Sequence, residues 1–168
     1  MENGPLCMQF FWSPDRGIQV CECAGRIFGY EHELLELAGD VSVEQILLDW
    51  AYDRDAVRAL LADHDPSLHR VSCGLYFHGH EDLIDSIEGL DEARALPEVS
   101  EVHSYYSEGE RICHGVGDKP YVVRVYLTCD SYERLDELTQ RLYDTIHVRR
   151  ADGTDLLYHS ELGAYEEV

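Results

Sequence analysis

The chain has 168 residues, 45% of them hydrophobic, which is enough for one packed domain or a domain with a small annex. Its 34 acidic and 13 basic side chains leave a formal net charge of −21, a field that repels phosphate backbones and anionic lipid, so neither nucleic acid nor a membrane surface is an expected partner. No apolar run reaches the roughly 18 residues of a membrane span, and the first twenty residues, which include Asp15 and Arg16, do not read as a secretory signal, so the expected location is cytoplasmic.

From the N-terminus, residues 7–12 and 17–24 are predicted strands, joined by Ser13-Pro14-Asp15-Arg16, a turn that closes on Gly17. Period-two alternation puts Cys7, Gln9 and Phe11 on one face of the first strand, and Met8 with Phe10 on the other. On the second strand it groups Glu22 with Val20 and Ala24, and Cys21 with Cys23. A helix is predicted over 30–38, ending at Gly39. Ser42 is the N-cap of a second, in which Val43, Ile46, Leu47 and Trp50 recur at helical spacing, and a third covers 53–62. The polar stretch 64–67 is the best internal boundary.

Beyond it, 70–78, 99–106, 111–113 and 121–128 read as strands and 90–96 as a short helix. Residues 131–146 form the clearest helix, with Leu135, Leu138, Leu142 and Ile146 as its apolar stripe and Ser131 at its start. A last short strand is expected at 156–158, and the acidic segment 161–168 is expected to fray. The fold class is therefore α+β, with an N-terminal hairpin and helices over 1–66, then a mixed or antiparallel sheet with helices over 67–160.

Without a secretion signal the six cysteines, at 7, 21, 23, 73, 113 and 129, are expected to be reduced and buried. Cys21-x-Cys23 lacks a second ligand pair at zinc spacing, so core packing is the preferred reading. His78-Gly79-His80 before Glu81 reads as a strand end running into a polar loop rather than a chelate. In Cys113-His114, adjacent residues point to opposite strand faces, so no nucleophile–base pair follows.

One pattern carries chemistry. Asn3-Gly4-Pro5, the hairpin, and the ending Glu22-Cys23-Ala24-Gly25-Arg26 resemble the last catalytic strands of the ATP-grasp superfamily. Residues 90–99, the Gly109 turn, the strand 121–128 and the helix from Ser131 look like the carboxy-terminal α+β region of ATP-grasp amino-acid ligases and carboxylases. The resemblance implies a parent activity of ATP-dependent carboxylate–amine ligation through an acyl phosphate, with ATP and magnesium as cofactors. Glu22 then matches a magnesium-binding acid, Arg26 the arginine that steadies the acyl phosphate, and Phe11 an apolar position that packs on adenine. Gln9 stands where a second metal-binding acid is expected and Ala24 where an asparagine is, a degraded metal site with one charge and two oxygen ligands fewer.

In that family the adenine hinge and the phosphate-gripping lysines precede Asn-Gly-Pro, where this sequence has Met1 and Glu2; its single lysine, Lys119, lies far downstream. The expectation is the C-terminal part of an ATP-grasp ligase, inactive in isolation, whose partner is an N-terminal ATP-grasp half in cis or in trans. Phe11 and Val20 would then form an exposed apolar strip, hidden by that half or by a homodimer. The alternative is a non-catalytic binding or scaffold module that keeps the fold.

Overall fold

The computed structural model describes residues 5–27, 29, 32–65, 67–119 and 121–158. Two compact units divide between Leu68 and His69.

The first unit holds β1 (Cys7–Ser13), β2 (Gly17–Ala24), α1 (His32–Gly39), α2 (Val43–Tyr52) and α3 (Arg54–Asp63). β1 and β2 form an antiparallel ribbon of two strands. Its turn closes on Gly17 at φ +65°, a left-handed conformation that glycine adopts without steric cost. The expected stop of α1 at Gly39 moves by one residue. Gly39 is the last helical residue, and Asp40 takes the left-handed φ of +57° while its N–H bonds Glu36 O at 3.0 Å. A short polar side chain tolerates that conformation better than most. The predicted helix start at Tyr30 lies outside the described residues. Ser42 caps α2 as expected, its Oγ accepting from Gln45 N at 3.4 Å. Asp53 ends α2 through its own N–H on Asp49 O and starts α3 by accepting from Ala56 N, so a single residue separates the two helices. Among the described residues of this unit, Cys7, Ala38 and Val57 are the buried apolar side chains.

The second unit contains β3 (Val71–Phe77), β4 (Ser86–Glu88), α4 (Leu90–Arg94), β5 (Val99–Ser104), β6 (Val123–Cys129), α5 (Tyr132–Thr145) and β7 (His147–Arg149). β6 lies between β3 and β5, antiparallel to both, and β4 pairs with β7. Alternate residues of the sheet, including Phe77, Val123, Val125 and Leu127, meet Leu138, Leu142 and Ile146 in a fully buried core. Ser131 Oγ accepts from Arg134 N at 3.2 Å and starts α5, as its position before the apolar stripe predicts. At the other end of α5 the chain passes so close to Gly89 (φ +81°) that a Cβ there would lie 1.9 Å from Thr145 O.

Several expectations are corrected. Residues 111–113 are not a strand; Arg111 alone makes a bridge, to Leu83. Residues 156–158 likewise supply one isolated bridge, Leu157 to Gly79, beside that of Asp155 to Arg149. The three-residue strands β4 and β7 were not predicted. Residues 159–168, with the expected acidic tail, lie outside the described residues. All six cysteines are free, but Cys21 and Cys23 are exposed rather than buried, because the ribbon that carries them is exposed on both faces. Among the described residues no helix is long and apolar enough to cross a membrane.

Candidate functional site

The side chains nominated by sequence lie on the β1–β2 ribbon or just beyond it; Asn3 and Gly4 of the lead-in are outside the described residues. Met8 stands opposite Cys23, Gln9 opposite Glu22, and then Phe10 opposite Val20. Cys21 is therefore an extra residue, a β-bulge in the second strand. Residues directly opposite in an antiparallel pair share a face. One face thus carries Gln9, Phe11, Gln19, Glu22 and Ala24, and the other Met8, Phe10, Trp12, Ile18, Val20 and Cys23.

This corrects the grouping by simple alternation. The bulge turns Val20 away from Glu22, so Phe11 and Val20 do not make one strip. The continuous apolar strip lies on the opposite face, where Met8, Phe10, Trp12, Ile18 and Val20 are all exposed. Phe11 stands among polar neighbours with 69% of its surface open, and Gln19 directly opposite it is a residue that sequence reasoning passed over. Nothing in the alternation of Val20-Cys21-Glu22-Cys23 marks where a bulge falls.

Arg26 reaches back one helical-turn spacing to Glu22, with Nη2 at 3.6 Å from Oε1, while Nη1 donates to Ile27 O at 3.1 Å. Both partners are half open to water, so the pair orients the two groups and adds little stability. Arg26 also borders a half-open, mostly apolar depression of about 140 Å³, with Leu6, Ile27, His32 and Leu35 on its walls. His32 contacts the Glu44 carboxylate there.

The polar face so assembled offers one carboxylate, two amides, one guanidinium and one aromatic ring. Magnesium takes hard oxygens and often only one or two carboxylates, with phosphate and water oxygens completing its shell. Glu22 and the Gln9 amide oxygen meet the minimum of that set; Ala24 adds nothing, and Arg26 competes for Glu22. Among the described residues no three His, Cys, Asp or Glu side chains gather as a metal site. Three further histidines have packing roles. His78 stacks edge-on to Tyr121 at 5.3 Å, His80 to Tyr158 at 4.3 Å, and the His114 ring bonds Gly79 O at 2.8 Å.

The chain is similar in structure to an L-amino acid ligase from Bacillus licheniformis, with a TM-score of 0.71 over 89% of its length at 19% identity. It is similar also to phosphoribosylglycinamide synthetase from Anaerococcus prevotii, with a TM-score of 0.69 over 86% of its length at 8% identity. Its fold is shared with part of each of these two solved chains. The chain spans 36% of the length of each of those solved chains. No protein-family model matches the sequence, and no curated protein matches it. The α+β architecture with antiparallel sheets is thus shared with two solved structures whose sequences differ widely from this one.

Proposed function

We propose that the chain supplies the C-terminal part of an ATP-grasp ligase whose parent activity joins a carboxylate to an amine through an acyl phosphate. In this reading residues 1–66 form one wall of the nucleotide cleft and residues 67–160 a scaffold, in a cytoplasmic enzyme. The observation that supports it most is the antiparallel placement of Gln9 against Glu22, with Arg26 on the same carboxylate, in a chain of ATP-grasp fold. Glu22 and the Gln9 amide would hold magnesium, which when bound neutralises phosphate charge. Phe11 offers a flat apolar surface to the adenine ring. Arg26, which can release Glu22 at little cost, steadies an anionic acyl phosphate by charge-assisted hydrogen bonds. The remaining ligands and the lysine grip come from an N-terminal ATP-grasp half, in cis or in trans, or a homodimer covers the face.

The replacement of two ligand positions by Gln9 and Ala24 favours a second reading, a non-catalytic module that retains the fold. One experiment bears on both. The isolated chain should release no ADP from ATP, and calorimetric titration with manganese should show weak binding. Gln9→Glu with Ala24→Asn should restore an oxygen site around Glu22 and tighten manganese binding, and Glu22→Gln should remove the gain. A double variant that binds no better than the wild type would show that the ribbon face is not a metal site. ADP release by the wild type that depends on Glu22 would overturn the need for a second half.

A further inference from the structure

We propose that the ribbon face turned away from Glu22 is a site for a soft monovalent metal ion, copper(I) or silver(I), held by Cys21, Cys23 and Met8. The register brings the sulfurs together. Cys23 stands directly opposite Met8 across the ribbon, and Cys21 lies two residues from Cys23 on the same strand. Alternation along Cys21-Glu22-Cys23 groups the two thiols and sends Glu22 to the other side. Both thiols are free and exposed, and the Met8 thioether is open to solvent as well.

The surroundings choose the ion. The face offers sulfur, and its other side chains near the bulge are the apolar Phe10 and Val20, with no paired carboxylate or imidazole. Thiolate and thioether select copper(I) over hard cations, which prefer oxygen. Zinc is disfavoured because the third donor is a thioether, outside its usual set of thiolate, imidazole and carboxylate. Binding is a ligand exchange without oxidation: two thiols lose two protons to solvent, two sulfur–metal bonds form, and the neutral Met8 sulfur adds a third. The site is on the face opposite the proposed nucleotide wall, so it stands or falls independently of that reading.

The test is an anaerobic titration of the full chain with copper(I) against a chromogenic copper(I) chelator. The wild type should withhold one equivalent and release two protons per ion. Cys21→Ser and Cys23→Ser should each lose that equivalent, and Met8→Leu should keep it with a higher Kd. Circular dichroism of each variant confirms that the fold is retained, and X-ray absorption at the bound copper should count three sulfur neighbours. A Cys73→Ser/Cys113→Ser variant should withhold the same equivalent as the wild type. Survival of the equivalent in both Cys21→Ser and Cys23→Ser, its loss in Cys73→Ser/Cys113→Ser, or displacement by equimolar zinc would overturn the proposal.

Discussion

Asp155 is a carboxylate that the second unit solvates with its own groups. One oxygen meets the His147 ring at 2.5 Å, and the other accepts from the N–H groups of Leu157 at 3.1 Å and Val148 at 3.4 Å. Burial raises its pKa, but the Leu157 N–H, the His147 ring and the Val148 N–H outweigh that effect and leave it below the ordinary value of 3.8. A depressed folded-state pKa means that its stabilisation is fully present above the unfolded value and lost as pH falls through the folded one. Asp155→Asn should therefore cost about 1.5–3 kcal/mol at neutral pH, the scale of a hydrogen bond to a charged group. The difference from wild type should shrink below about pH 4. Urea unfolding at several pH values reads this directly; a pH-independent difference would show that the charge of Asp155 is not what is lost.

At the scale of elements, α5 is where sequence and structure agree best. Its apolar stripe and its Ser131 cap are local features, set by helical spacing and by a hydrogen bond three residues along the chain, so they are legible without knowing the fold. Leu142 is wholly buried, and Leu142→Ala should destabilise the protein by about 2–5 kcal/mol, against about 1 kcal/mol for Ser131→Ala. Thermal unfolding of both variants checks the order; equal losses would mean that the helix is held by its cap rather than by its stripe. β4 and β7 show the other case. Ile87 finds its partner Val148 some sixty residues on, and three residues are too few for a period to emerge. The ribbon falls between. The alternation revealed its strands, but the bulge at Cys21 depends on how two strands meet, so the face assigned to Val20 was misread. The exposure of Cys21 and Cys23 was hidden for a related reason: an apolar alternating strand reads as buried whether or not anything lies against it.

Across the whole molecule the two units differ in what they bury. The second has a continuous core of strand and helix side chains, while the first buries three apolar side chains among its described residues. Free energies of local opening follow such differences. Hydrogen exchange followed by mass spectrometry should find the amides of β3, β6 and α5 slowest and those of β1 and β2 fastest. Added salt should stabilise the chain by screening its −21 charge. Protection of β1 and β2 equal to that of β6 would contradict this order.

Among the described residues β1 pairs only with β2, so each strand keeps an outer edge whose N–H and C=O groups lie outside the ladder. Chain order adds a hazard of timing. During synthesis these edges leave the ribosome before β3, β6 or α5 exist, with Phe10, Trp12, Ile18 and Val20 beside them. Such an apolar edge invites another nascent chain to add a strand. Newly made chains should therefore depend on chaperones most while the ribbon is out and the acidic helices that follow it are not.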